Sequence, residues 1–206
     1  MPASPTEWNE RHRTAGEVSA LEAAPLVREL LPLLPTGPAL DLACGRGRHT
    51  LLLAERGQAV TAVDWSTVAL DILERAALAR RLKFRRAPSW EEGLLASAGG
   101  ILAEVRDLQQ LALPSGAFAL ILCVQYLDRK LLHSLGRALQ PGGMVLFETY
   151  TAAQLAFEGG PRNRAYLLEP GELRESLAGL EIIFYRELNA GQGIASLLAC
   201  RPAKGE

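Results

Sequence analysis

The stretch ALDLACGRGRHTLLLAERG, residues Ala39 to Gly57, decides the fold. A short strand, Ala39–Leu42, leads into two glycines, Gly45 and Gly47, and then into a segment with a helical pattern. Glycine lets a backbone approach a ligand and adopt positive φ, and a helix N-terminus presents free N–H groups and a positive dipole end. We therefore expect this strand–glycine–helix junction to hold a ligand.

Strands and helices alternate along the rest of the chain. The central strands are apolar on both faces, which is typical of a parallel sheet covered by helices on two sides. Strands are expected at Ala39–Leu42, Ala59–Val63, Leu102–Arg106, Phe118–Val124, Met144–Tyr150, Glu181–Leu188 and Ile194–Arg201. Helices are expected at Ser19–Leu34, Arg48–Arg56, Leu131–Leu139, Gly171–Leu177 and from a Ser66 cap to about Arg80. This pattern predicts an α/β fold: a single Rossmann-like, doubly wound sheet of seven mostly parallel strands, with an antiparallel strand from a C-terminal hairpin.

Three segments fit this alternation less directly. Residues 1–17 are polar and carry no predicted element, and Pro141-Gly142-Gly143 reads as a turn. Lys83–Gly100 is longer than a usual connection, and we interpret it as an excursion with a short helix around Trp90–Ser97. The chain is predicted to form one domain, residues 1–206, with residues 1–37 as a lid or helical segment packed on it.

Composition restricts the function. The chain has 206 residues and a net charge of −1, with 22 basic residues scattered among 23 acidic ones, which argues against a nucleic-acid partner. Its three cysteines form no CxxC pair, so no metal site is predicted. No apolar run reaches ~18 residues, which argues against a membrane span. An odd cysteine count without a secretory signal favours the cytoplasm, and the oligomeric state stays open.

The residues after the first two strands indicate which ligand is bound. Asp64 ends the second strand and suits vicinal ribose hydroxyls, so the junction predicts a nucleoside site. A nicotinamide dinucleotide site would have a third glycine where this chain has Thr50. Asp41 would repel a pyrophosphate and suit a ligand with an ammonium or sulfonium group.

The glycine loop, Asp41 and Asp64 belong to motifs by which the chain resembles the class I S-adenosylmethionine-dependent methyltransferases. DLACGRGR is similar to their first motif, VTAVDWS to the ribose-binding motif and VRDLQ to the adenine-binding motif. FALILCVQYL and LQPGGMVLFETY resemble the fourth and fifth motifs. WNERHR, CGRGRHTLLLAERG and RAYLLEPGELRESLAGLEIIFYRE further resemble the small TehB-like methyltransferases, the group that includes tellurite-resistance enzymes.

The resemblance implies S-adenosyl-L-methionine as cofactor and a role for each matching residue. The methionine moiety would lie on the glycine loop, the ribose and adenine after the second and third strands, and the methyl donor after the fourth. The implied cofactor-binding residues are Asp41, Ala43, Gly45, Arg46, Gly47, Asp64, Trp65, Ser66, Asp107, Leu108, Cys123 and Val124. Trp8 and Arg11 would belong to a segment that closes over the cofactor, and Arg11 or Arg48 would pair with its carboxylate.

The methyl acceptor is predicted to be a small molecule. Gln125-Tyr126-Leu127-Asp128 stands where amino-methylating relatives have an Asp/Asn-Pro-Pro-Tyr/Phe run. No base stands at a diagnostic position, which fits a thiol or chalcogen oxyanion attacking by in-line displacement, and equally a base that the sequence hides. Tyr126, Arg164 and Tyr166 are the catalytic candidates, and a solvated basic loop is the alternative for Arg164. Two other functions stay open: a non-catalytic S-adenosylmethionine-binding protein and a nicotinamide-dependent oxidoreductase.

Overall fold

The computed structural model describes residues 4–14, 22–87 and 99–203. The helix expected around Trp90–Ser97 lies outside the described residues. The chain forms two compact units, Met1–Leu111 and Ala112–Glu206. The fold is α/β and Rossmann-like, with parallel strands and antiparallel strands at the C-terminal end, as the sequence predicts.

The first unit carries four parallel strands in the order β3-β4-β2-β1. Short apolar runs make β1 and β2 fully buried, and helices follow each of them. Leu42 pairs with Val63 and Asp64 with Val105, so the three strands end at the same edge. The elements are α1 Pro5–Thr14, α2 Pro25–Leu30, β1 Ala39–Leu42, α3 Arg48–Glu55, β2 Val60–Asp64, α4 Thr67–Ala79, β3 Lys83–Arg86 and β4 Gly100–Val105.

The second unit carries strands in the order β5-β6-β8-β7. β5 and β6 are parallel, whereas β8 is antiparallel to both β6 and β7. The hairpin turn predicted between the last two strands joins β7 to β8, and β8 is almost wholly buried. The elements are β5 Phe118–Val124, α5 Arg129–Ala138, β6 Leu139–Tyr150, α6 Glu172–Ser176, β7 Glu181–Asn189 and β8 Gly193–Cys200.

The described residues contain eight strands, one more than predicted. The extra strand is β3, whose charged sequence KFRR lies at the edge of its sheet and hides the strand signal. Pro141-Gly142-Gly143 is not a separate turn: it lies inside β6, where the pairing with β5 shifts register. At this bulge, the segment stays paired on its other side, where the backbone N–H of Gly142 donates to the carbonyl oxygen of Arg201 at 2.8 Å.

The N-terminal region also differs from the expectation. The polar residues at the start form α1, since Ser4 and Glu7 cap each other reciprocally in a capping box at 2.7 and 3.2 Å. The helix expected over Ser19–Leu34 is limited, in its described part, to α2 and a following 3-10 turn, because Pro25 starts it and Pro32 limits it. Among the described residues, no helix is both long and apolar enough to cross a membrane.

Candidate functional site

The loop between β1 and α3 is built from residues in the left-handed region. Ala43 and Gly45 have φ of 53° and Gly47 has φ of 79° at the start of α3. A Cβ at Gly47 would lie 2.2 Å from Cδ1 of Leu73, so glycine is required there by packing. A Cβ at Gly45 would have the Cε1 of His12 as its nearest neighbour, at 3.6 Å. Packing alone therefore does not require glycine at residue 45, and the side chain nearest to that position is His12 of α1.

Asp64 joins this loop to the end of β2. Its Oδ2 accepts a hydrogen bond from the N–H of Gly45 at 2.8 Å, and its Oδ1 accepts one from the N–H of Ser66 at 2.8 Å. Burial raises the pKa of Asp64, against the effect of these backbone donors and of His12. The backbone N–H of Trp65 also bonds this carboxylate, which leaves part of its roughly four lone-pair positions for a ribose hydroxyl.

The turn after β2 is held by side chains from two helices. The Oγ of Ser66 accepts from the N–H of Ala69 at 3.1 Å, which confirms the predicted cap of α4. The same Oγ donates to the Oδ1 of Asn9 at 2.7 Å, and the N–H of Val68 donates to that oxygen at 3.3 Å. Trp65 is half-buried beside them. Asn9 is a site residue that sequence reasoning missed.

Asp41 is a fully buried carboxyl at the end of β1. Its Oδ2 accepts a hydrogen bond from the Oγ1 of Thr50 at 2.6 Å, so the residue in place of a third glycine serves as its partner. Burial raises the pKa of Asp41 to about 7, even though the bonds from Thr50 and the charge of Arg48 oppose the rise. A cation bound nearby would favour the ionised form.

Helix α1 contacts both loops of this site. The Nη2 of Arg46 donates to the carbonyl oxygen of His12 at 2.5 Å. The ring of His12 stacks on Trp8 at 6.1 Å between centroids, and the guanidinium of Arg11 lies 4.8 Å above the Trp8 ring. Sequence reasoning singled out Trp8 and Arg11 of WNERHR but missed His12, for which the four-residue spacing from Trp8 on a helix was the available signal.

The remaining predicted residues of the first unit follow β4. Asp107 caps a 3-10 turn, with its Oδ1 accepting from the N–H of Gln109 at 2.9 Å, and Leu108 is buried in that turn. These contacts are those of a structural cap, and they leave the adenine role of Asp107 a prediction. Elsewhere in this unit, His49 of α3 is buried and its Nε2 accepts from the N–H of Ala24 at 3.2 Å, which is the contact of a structural residue.

In the second unit, the predicted residues Cys123 and Val124 are buried at the end of β5. The next residue, Gln125, has φ of 63°, a conformation that non-glycine residues adopt rarely and that clusters at functional sites. Its Nε2 donates to the hydroxyl of Tyr150 at 3.4 Å, and Tyr126 is half-buried after it.

Arg164 and Tyr166 lie in a 3-10 turn that is tied to the end of β6. The N–H of Leu168 donates to the carbonyl oxygen of Tyr150 at 3.0 Å. Arg129, which sequence reasoning missed, donates to the carbonyl oxygens of Ala165 and Leu167 at 3.0 and 2.9 Å. The side chain of Arg164 is 69% exposed and lies 3.6 Å from Glu169, so it stands at the surface as an ion pair.

Comparison with known proteins identifies the family of this chain. Residues 39–143, just over half of the chain, match the family of methyltransferase domains. A relative from Bacillus subtilis (strain 168), named as the methyltransferase YqeM, is 29% identical over 129 residues, 58% of this chain and 45% of the relative. The chain thus spans less than half the length of this relative.

Solved structures share the fold. An S-adenosylmethionine-dependent methyltransferase from Mesorhizobium loti superimposes with a TM-score of 0.65 at 21% identity, over 88% of this chain and 100% of that one. TehB from Haemophilus influenzae superimposes with a TM-score of 0.62 at 17% identity, over 96% of this chain and 66% of that one. At these identities the likeness concerns the fold alone.

Proposed function

The chain belongs to the family of methyltransferase domains, and from that premise we propose that it transfers a methyl group from S-adenosylmethionine to a small-molecule acceptor. The observation that carries this proposal is the carboxylate of Asp64, which holds the N–H groups of Gly45 and Ser66 at 2.8 Å. One acid thereby fixes the two loops that a nucleoside with a charged tail would contact.

The residues of the first unit fit this cofactor. Gly45 offers a backbone with a φ of 53°, and Asp64 keeps acceptor capacity for a ribose hydroxyl beside its backbone donors. Buried Asp41 favours a cationic ligand over a pyrophosphate, which disfavours a nicotinamide dinucleotide. Ala43, Arg46 and Gly47 complete the methionine side of the site, and Trp65, Ser66, Asp107 and Leu108 the nucleoside side. When bound, S-adenosylmethionine supplies an electrophilic methyl group on its sulfonium sulfur.

The protein then has to orient the acceptor and exclude water. We assign water exclusion to residues 1–37, acting as a lid segment of one methyltransferase domain, because Asn9 and His12 of α1 touch the cofactor loops. Cys123 and Val124 are assigned to the donor side of the acceptor site.

The acceptor is proposed to be a thiol or a chalcogen oxyanion, with Tyr126, Arg164 and Tyr166 as the residues that meet it. Such acceptors are nucleophilic at neutral pH and need no general base. The exposed guanidinium of Arg164 and the tyrosine hydroxyls are donors suited to an anion, although Glu169 offsets part of the charge of Arg164. A TehB-like subtype fits the same chemistry, and TehB shares the fold at a TM-score of 0.62.

Product formation tests this function. The purified protein is incubated with S-adenosylmethionine and, separately, a panel of small thiols, selenite, tellurite, phenols and amines, and S-adenosylhomocysteine is quantified. Product with a thiol or an oxyanion supports the full proposal. Product with amines or phenols alone would contradict the acceptor class. Cofactor binding without product across the panel would favour the non-catalytic binding protein.

A further inference from the structure

The loop after β6 folds back on the tyrosine with which that strand ends. The carbonyl oxygen of Tyr150 accepts a hydrogen bond from the N–H of Leu168 at 3.0 Å, and the carbonyl oxygen of Leu168 accepts one from the N–H of Ala152 at 2.8 Å. Thr151 and Leu168 also pair as a parallel bridge. Residues 151–168 therefore form a loop whose two ends meet at the backbone of Tyr150.

Gln154 holds this loop from inside. It is buried, and its Oε1 accepts a hydrogen bond from the N–H of Gly193, the first residue of β8, at 2.9 Å. Its Nε2 donates to the carbonyl oxygens of Glu158 and Gly159 at 3.3 and 3.2 Å. A Cβ at Gly193 would lie 2.1 Å from the backbone nitrogen of Gln154, so the loop and the strand are in close contact. One side-chain amide thus ties the turn at residues 158–160 to the sheet.

The turn that Gln154 holds packs against the ring of Tyr150. Gly160 has a φ of 68°, and a Cβ there would lie 3.2 Å from the Cε1 of Tyr150 and 3.1 Å from the Cγ of Gln154. Gly159 has a similar φ of 71°, but a Cβ there would have no heavy atom of the described residues within 4 Å. A side chain at residue 160 would therefore displace the tyrosine ring, whereas one at residue 159 would not.

The hydroxyl of the same tyrosine is held by Gln125, the residue after β5. The Nε2 of Gln125 donates to this hydroxyl at 3.4 Å, and the N–H of Gln125 donates to the carbonyl oxygen of Glu148 at 2.7 Å. A phenol that accepts a hydrogen bond can still donate its own proton. Tyr150 is thus a half-buried phenol that is fixed at its ring and at its hydroxyl, and its O–H can donate to a ligand.

We propose that Tyr150 is a further acceptor-binding residue, whose O–H donates a hydrogen bond to an anionic oxygen or sulfur of the methyl acceptor. Gln154 and Gly160 are positioning residues that set the place of this hydroxyl. The inference rests on the proposed function, because it takes the residues after β5 and β6 as the acceptor side. It assigns recognition of the acceptor to a phenol held by the sheet, in addition to the exposed Arg164.

The physical reason is the alignment that in-line displacement requires. A lone pair of the acceptor forms the new bond to the methyl carbon while the bond from that carbon to sulfur breaks, and the bonding pair stays on sulfur. Small errors in the position of the nucleophile slow this step strongly. A tyrosine has only two side-chain torsions, so it can orient an anion at a low cost in entropy, and its hydrogen bond to an anion is charge-assisted.

The first test compares Tyr150→Phe with Tyr185→Phe. Formation of S-adenosylhomocysteine from S-adenosylmethionine is measured with selenite and with dithiothreitol as acceptors. Tyr150→Phe should lower kcat/KM about 10- to 100-fold, the loss expected for one hydrogen bond to a charged group, with calorimetric affinity for S-adenosylhomocysteine unchanged. Tyr185 of β7 is the matched control, because its hydroxyl donates to Glu187. Equal kcat/KM in the two variants would overturn the role of Tyr150.

The second test uses the paired glycines of the turn. Gly160→Ala should lower kcat/KM about tenfold, because its Cβ displaces the ring of Tyr150, and should cause little further loss in a Tyr150→Phe background. Gln154→Met, which removes the amide, should behave in the same way. Gly159→Ala adds the same methyl group into open space and is the control. Equal losses in the two glycine variants, or losses that do not depend on the hydroxyl of Tyr150, would overturn the positioning role.

The outcomes separate the two proposals. A wild type that methylates either probe, with Tyr150→Phe as active as the wild type, overturns this inference and leaves the proposed function standing. A wild type that binds S-adenosylhomocysteine but methylates neither selenite nor dithiothreitol overturns the acceptor class together with this inference. A wild type that does not bind S-adenosylhomocysteine overturns the proposed function as a whole.

Discussion

The carboxylate of Asp64 accepts a hydrogen bond from the backbone N–H of Gly45, 19 residues earlier, at 2.8 Å. This bond ties the end of β2 to the loop that follows β1. We predict that Asp64→Ala weakens S-adenosylmethionine binding by about 1–3 kcal/mol, because hydrogen bonds from ribose hydroxyls to a carboxylate are charge-assisted. Calorimetry measures the change, with Asp71→Ala as control, since Asp71 is 60% exposed and pairs with Arg86 on the surface. Equal affinity in both variants would remove Asp64 from the site.

The two glycines of the loop should respond differently to substitution. Gly45→Val is expected to abolish cofactor binding in a folded protein, because its side chain would extend beside His12 over the loop face that the proposal gives to the cofactor, and because the positive φ costs about 1–2 kcal/mol of backbone strain. Gly47→Ala should instead unfold at a markedly lower denaturant concentration, because its Cβ would lie 2.2 Å from Leu73. Chemical denaturation and calorimetry on both variants distinguish the two effects. Normal binding by Gly45→Val would mean that the ligand does not approach this loop.

Asp41 should make the folded protein less stable as the pH rises. Its pKa is about 7 in the folded protein against a usual 3.8, because burial penalises the charged carboxylate. The unfolded chain therefore ionises first, and the free energy of unfolding falls between pH 3.8 and about pH 7. Asp41→Asn stays neutral and should keep about 1–3 kcal/mol more of its pH 4 stability at pH 8 than the wild type does. Urea denaturation measures the free energy of unfolding of both proteins at pH 4 and pH 8. Equal losses in the wild type and in Asp41→Asn would contradict this burial effect.

Arg129 should hold the turn that carries the acceptor candidates. It bonds the carbonyl oxygens of Ala165 and Leu167 and pairs with Glu172 at 2.5 Å. Arg129→Gln is predicted to speed hydrogen exchange of the amides in residues 164–168 and to raise KM for the acceptor severalfold, with cofactor affinity unchanged. Lys130→Gln, the exposed neighbouring residue, is the control and should exchange as wild type. Unchanged exchange in Arg129→Gln would show that the turn is held by other contacts.

The parts of the fold that depend on local pattern could be predicted from the sequence. The buried runs of β1 and β5 and the Ser66 cap carry their own signals in apolar residues and capping chemistry. Strand β3 could not be recognised, because an edge strand with the sequence KFRR buries little and shows no apolar alternation. The bulge in β6 depends on pairing with β5 and resembles a turn when read alone.

The sequence indicates candidate site residues where one residue type suits one role. Gly45 and Asp64 are predicted because positive φ favours glycine and ribose hydroxyls suit a carboxylate, and the structure joins the two residues by a hydrogen bond. Their roles toward a ligand stay predictions. Asn9 and His12 were missed, because their roles depend on where α1 lies on the loops rather than on its own sequence pattern. Arg129 was missed for the same reason, since its partners lie 36 and 38 residues away.

Calorimetric titration of the purified protein with S-adenosylmethionine, S-adenosylhomocysteine and NADH tests the central claim most directly. The site built on Asp64 and Gly45 predicts micromolar binding of the first two and none of NADH. Binding of NADH alone, or of none of the three, would contradict the assignment of this site to S-adenosylmethionine.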